Sequence, residues 1–242
     1  MPKTEVTRRF LAWSFSRWWE YNTCPRMAAR KHLDKLGKND VQHPAAVRGE
    51  AIHKLGELFT LKKMKEMPAA LKSFKPEFLE MEKNFRAEFK AMQVKGTKCE
   101  EQLTISKTWK LLPANAWFNN SLAWLRVKMD NRYEDGDTMV LTDLKTGKIK
   151  SEHKLQLSLY GLTGFTISPK IKKVVARLLY LDHGPESTVE ETYTRKADAA
   201  DLKTEWLGRI KNMFEDVQFK PRPGFHCRFC PDSKDKGGTC RF

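Results

Sequence analysis

The chain has 242 residues, 45 Lys and Arg against 30 Asp and Glu, and a formal charge of +15. With 40% apolar and 11% aromatic residues it can build a core, and at this length one large domain, or one domain with a lobe, is expected. No segment approaches the ~18 consecutive apolar residues of a membrane span, and Met1 to Phe10 is too polar for a secretory signal, so membrane and secreted classes are set aside. So basic a chain is attracted to polyanions, which makes nucleic acid the leading partner.

The predicted elements follow in chain order. Ser14 is a serine cap for a helix running to the Leu36-Gly37 stop. Ala45 to Lys65 reads as a second helix, with Ile52, Leu55 and Phe59 on one stripe. Lys75 to Val94 repeats Phe78, Met81, Phe85, Phe89 and Met92 at helical spacing, and Gly96 ends it. The period then changes. Gln102 to Ser106 alternates as a strand does. Ala123 to Met129 and Thr138 to Leu144 form two more strands around a Glu134-Asp135-Gly136-Asp137 turn. A helix covers Glu152 to Phe165. Strands at Lys173 to Leu181 and Thr188 to Thr194 flank Asp182-His183-Gly184-Pro185. The last helix starts near Lys196, with Leu202, Trp206, Ile210, Met213 and Val217 on its buried stripe. Helices, three strands, a helix, two strands and a helix make an α/β fold with a central mixed sheet.

Five cysteines, Cys24, Cys99, Cys227, Cys230 and Cys240, argue against a disulfide framework by their odd count. Cys227-x2-Cys230 lets two thiolates from one turn reach a single metal or cluster, and Cys240 follows. Cys24 before Pro25 is the fourth candidate; Cys99 reads as an ordinary thiol. Spacing alone leaves zinc and an iron–sulfur cluster both open, and His226 is an alternative zinc ligand. Phe225, Phe229, Phe242 and Pro231 point to a compact C-terminal knot.

Asp143-Leu144-Lys145 is the candidate reactive centre. An acidic residue two before a lysine occurs five times in the chain, so the triplet means little alone. Asp143, however, ends a strand. There the carboxylate and the Lys145 ammonium project to one face while Leu144 enters the core. Asp130 ends the preceding strand of the same hairpin, and pairing brings it toward Asp143. Two carboxylates beside a lysine suit a hard divalent cation and phosphodiester chemistry. His53 lies on a predicted helix four residues after Gly49, a glycine that permits close approach. Gln156 and Tyr160, at i and i+4, share a helix face, with Leu155, Leu159 and Leu162 on the other.

Taken in order, these residues resemble the RecB-like nucleases of the PD-(D/E)XK superfamily, in the iron–sulfur branch that includes the AddB nuclease domain and CRISPR-adaptation nucleases. Tyr21-x2-Cys24-Pro25, Gly49-x3-His53, Asp130-Asn131-Arg132, Thr142-Asp143-Leu144-Lys145-Thr146-Gly147-Lys148, Gln156-x3-Tyr160 and Cys227-x2-Cys230-x9-Cys240 carry the likeness. Lys128 stands where the family has glycine, Asn131 is inserted before Arg132, and the spacing before Cys240 is long. The resemblance implies a restriction-endonuclease-like core over about 98–217, a helical lobe over about 38–97, and a cluster region formed by Cys24 and 218–242, all within one nuclease domain, 1–242. It implies Mg2+ or Mn2+ held by His53, Asp130, Asp143 and the Leu144 carbonyl, with Glu101 as a weaker accessory ligand. Lys145 would position water, Gln156 and Tyr160 would contact DNA or brace the site, and Cys24, Cys227, Cys230 and Cys240 would hold a [4Fe–4S] cluster. The implied activity is a DNA exonuclease acting on ends or single strands, in the cytoplasm of a prokaryote or phage-infected host, with a recombination or CRISPR-adaptation partner. Two other readings remain: a non-catalytic nucleic-acid-binding protein of the same fold, and a zinc-binding interaction module.

Overall fold

The computed structural model describes residues 8–36, 43–119 and 121–242. Ser14 caps α1 (Phe15–Thr23), its hydroxyl accepting from the Arg17 amide at 3.3 Å. The expected single helix breaks at Cys24, whose backbone is extended, and α2 (Pro25–His32) begins at the proline. The break follows from Pro25, since proline pushes the residue before it out of the helical region. Gly37 lies outside the described residues.

α3 runs over Pro44–Thr60, five residues short of the expected end, and Lys62 just beyond takes a φ of 56°. The Lys75–Val94 stripe divides into α4 (Lys75–Asn84) and α5 (Arg86–Ala91). Phe78, Met81, Phe85, Phe89 and Met92 are all buried, so the stripe holds although the helix is not continuous. No glycine or proline marks the break at Phe85.

The five strands β1 (Lys98–Ile105), β2 (Leu125–Asp135), β3 (Thr138–Lys145), β4 (Lys173–Tyr180) and β5 (Val189–Thr194) form one sheet in the order β1-β2-β3-β4-β5. All neighbours are antiparallel except β3 and β4, which are parallel. α6 (His153–Ile167) makes the crossover between these two, as a parallel pair requires. α7 (Arg195–Glu215) follows β5. This is the mixed sheet flanked by helices that the sequence pattern predicts.

Gly136 takes a φ of 60° in the two-residue turn that joins β2 to β3. The hairpin register pairs Asn131 with Thr142. One step further it sets Asp130 opposite Asp143. Asp130 lies within β2, not at its end, because β2 continues to Asp135.

Two apolar layers sandwich the sheet. One joins α1, α6 and α7 to the sheet through Trp18, Leu159 and Trp206. The other joins α3, α4 and α5 through Leu55, Phe78 and Phe89, and Leu144 enters it, as its strand phase predicts. Val217 falls past the end of α7 and is exposed, as are Phe225 and Phe229, which meet each other edge-on at the surface.

Trp206 is fully buried, stacks on Trp13, meets Trp18 edge-on and donates to Ser158 Oγ at 3.1 Å. Trp206→Ala should cost about 3–5 kcal/mol of stability in a urea titration.

Candidate active site

The site forms where the middle of β2 and the end of β3 meet α3 on one side and α6 on the other. α3 reaches the sheet along a stripe of small residues. A side chain at Gly49 would lie 3.2 Å from Thr146 Oγ1, and one at Gly56 would lie 2.9 Å from Leu144 Cδ1. His53 falls between them on the same stripe. Its Nδ1 stands 3.2 Å from Asp130 Oδ1 and 3.7 Å from Glu100 Oε1.

Asp130 is 9% exposed. Its other oxygen accepts from the Leu144 amide at 2.7 Å, which ties β2 to the strand that carries Asp143. Asp143, 4% exposed, is held from the opposite side. Its Oδ2 lies 2.6 Å from Lys145 Nζ, and its Oδ1 accepts from Gln156 Nε2 at 3.1 Å and from the Tyr160 hydroxyl. Gln156 Oε1 accepts from Lys145 at 2.9 Å and its Nε2 donates to Tyr160 Oη at 2.7 Å, which closes a ring of four side chains. The one-turn spacing on α6 makes this ring, so Gln156 and Tyr160 brace Asp143 and Lys145. Tyr160 is only 1% exposed, with its hydroxyl turned to Asp143 and Gln156.

Burial and the neighbouring Asp143 raise the Asp130 pKa above the ordinary carboxylate value, against the pull of His53. Burial opposes charge on His53, but its bonds to Asp130 and Glu100 win and push its pKa up to about 10. Burial likewise opposes charge on Lys145, and Asp143 and Asp130 outweigh it. Two buried carboxylates repelling each other beside an imidazole are a fit for a divalent cation, which would offset the repulsion and displace the imidazole proton. Among the described residues, His53, Glu100 and Asp130 are the group of histidine, cysteine or acidic side chains whose ligand atoms lie within 4.8 Å of one another.

Glu100 takes the place expected of Glu101. Glu100 adopts a φ of 52°, which turns its carboxylate toward His53 and Lys128. Glu101 keeps the phase of Leu103 and Ile105 and pairs with Arg132 and Lys98. Lys128, at the position where the family has glycine, pairs with Glu100 at the rim.

A clamp also lies outside any motif. Arg48, on α3 one turn before His53, pairs with Asp182 after β4 and with Glu77 of α4. Asp182 also accepts from the Gly147 amide, in the loop after Lys145. α3 is thereby fixed to the loop that ends the reactive strand.

Cys24, Cys227, Cys230 and Cys240 line one small cavity. The Arg222 amide lies 3.4 Å from Cys24 Sγ, and Arg26 pairs with Asp232 at 2.8 Å. The two ends of the chain meet here. Cys99 stands apart, 3.4 Å from Asn131 Nδ2.

The model of the PD-(D/E)XK nuclease superfamily matches residues 12–233. No curated protein matches the sequence. Among solved structures, the chain is similar to a "putative exonuclease" from Eubacterium rectale, with 14% identity, a TM-score of 0.51, and 95% of this chain and 92% of that one covered. It is also similar to SSO0001, with 15% identity, a TM-score of 0.42, and 94% and 86% covered. The chain belongs to the PD-(D/E)XK nuclease superfamily, and among its described residues no helix is long and apolar enough to cross a membrane.

Breaking the clamp should loosen His53 without touching a ligand atom. Arg48→Gln should weaken Mn2+ binding about tenfold, at the low end of the effect of outer-shell partners, as read by isothermal titration calorimetry. Unchanged affinity would show that the glycine stripe alone holds α3 in place.

Proposed function

We propose that this protein is a divalent-metal-dependent DNA nuclease, an exonuclease working on DNA ends or single strands. The observation that carries the proposal is the meeting of His53, Glu100 and Asp130, with Asp143 and Lys145 braced beside them. A phosphodiester reacting at this point meets both an acidic cation cradle and an ammonium. The exonuclease description of the Eubacterium rectale structure agrees at the level of fold.

In this reading His53, Glu100, Asp130, Asp143 and the Leu144 carbonyl would hold Mg2+ or Mn2+. A bound cation would supply positive charge at the reacting phosphate and would lower the pKa of water. Lys145 acts as a donor, because its ammonium already faces two acceptors, Asp143 Oδ2 and Gln156 Oε1. It orients the attacking water and offsets negative charge in the transition state. Tyr160 and Gln156 keep Asp143 and Lys145 in that geometry. The water oxygen bonds to phosphorus and one P–O ester bond breaks; of the water's two protons one ends on the leaving oxygen and the other stays with the new phosphomonoester.

The four cysteines around one cavity support a [4Fe–4S] cluster, which four thiolates can hold. Such a cluster would join the two chain ends and stiffen the domain, and with it the protein would belong to the iron–sulfur branch of RecB-like nucleases, with the AddB domain and the CRISPR-adaptation nucleases. One nuclease domain with the 38–97 helical lobe, a recombination or CRISPR-adaptation partner and a prokaryotic or phage-infected cytoplasm complete the proposal.

Asp143→Ala should lower cleavage of end-labelled single- and double-stranded DNA in Mg2+ or Mn2+ by more than about 10³-fold. DNA binding should persist, since the basic surface carries it. Residual metal-dependent cleavage in the purified variant would defeat the nuclease assignment. Absence of cleavage in the wild type, with binding kept, would favour the non-catalytic reading. Protein purified without oxygen should carry four irons per chain and lose them in Cys24→Ala. Stoichiometric zinc without iron would favour the zinc module.

A further inference from the structure

The connection between β1 and β2 rises beside the candidate site, and its short 3-10 helix (Ala114–Phe118) sets Trp117 on the wall of a groove of about 600 Å3. The start of α1 forms the facing wall. Lys145, Gln156 and Tyr160 also line this groove, so it reaches the reactive lysine.

Two observations point to what enters. First, the chain has seven tryptophans. Six of them, Trp13, Trp18, Trp19, Trp109, Trp124 and Trp206, are in contact with another aromatic ring. Trp117 has no ring partner among the described residues, although it is half-buried and its carbonyl is held by Arg126 Nε at 2.9 Å. Second, the walls bring cations together. Burial and the nearby Arg126 disfavour charge on Arg17, whose Nε is buried without a hydrogen-bond partner. Lys150 lies on the same groove. Of the two acidic residues there, Glu20 is already bound by Lys31 and His32. The groove thus offers an unused indole face beside a surplus of positive charge.

We infer that this groove is a subsite for one unpaired nucleotide of the substrate strand, next to the phosphate that is cleaved. The base stacks on Trp117, and its phosphate is drawn to Arg17 and Lys150. Paired bases in a duplex already stack on their neighbours, so a recessed indole is reached only by a base outside the helix. The subsite depends on the nuclease reading for the identity of the strand, but none of Trp117, Arg17 and Lys150 belongs to the catalytic set.

Fluorescence anisotropy in EDTA with labelled oligothymidylate and a blunt duplex tests it. Trp117→Ala should weaken single-strand binding about tenfold, within the range for one stacked base, and leave the duplex unchanged. Trp117→Phe should stay within about threefold of the wild type. A single abasic residue scanned along the oligonucleotide should weaken binding at one position for the wild type and not for Trp117→Ala. An equal loss on both substrates, no loss, or an abasic penalty shared by both proteins overturns the subsite. The abasic scan on the wild type alone serves if the variant does not fold, and a flat scan refutes the proposal. Cleavage in Mn2+, and its loss in Asp143→Asn, reports separately on the nuclease reading. Cleavage without a Trp117 effect removes only the subsite; a Trp117 effect without cleavage removes only the nuclease.

Discussion

Two carboxylates of like charge, Asp130 and Asp143, sit buried on neighbouring strands, and the architecture around them answers that repulsion. A lone buried charge is strongly disfavoured, so each oxygen needs a partner. Asp130 finds one in His53 and another in the Leu144 amide. Asp143 finds Lys145, Gln156 and Tyr160. The partners come from both layers, α3 from one face of the sheet and α6 from the other. Neither layer alone could hold the pair, which ties the sandwich architecture to the chemistry.

The approach of α3 is the more demanding half. Its face toward β3 is cleared of side chains at Gly49 and Gly56. Arg48 then fixes the helix through Asp182 to the backbone at Gly147. Close packing and a charged strut act on successive turns of one helix, and His53 is the residue they deliver.

Much of this was legible in the residues. Strand alternation put Asp143 and Lys145 on one face and Leu144 in the core, and a one-turn spacing joined Gln156 to Tyr160. The break at Cys24 carried a local mark in Pro25 that the reading of one helix from Ser14 to Gly37 passed over. Other features carried no local mark. The left-handed turn at Glu100 is adopted by a residue that ordinarily avoids it, so strand phase selected Glu101 instead. The break at Phe85 interrupts an otherwise regular stripe. Arg48 and Asp182 are separated by 134 positions, and only the folded sheet brings them together. Trp117 reads in the sequence like any other tryptophan; the lack of a ring partner among the described residues is visible only once the other six are placed.

α1 serves two regions at once. Its first turn walls the groove, and Cys24 at its far end lines the cavity shared with the C-terminal thiols. The acidic pair is anchored by other elements, α3 and α6. A displacement at the thiols would therefore reach the groove wall directly through α1, and the acidic pair only through other elements.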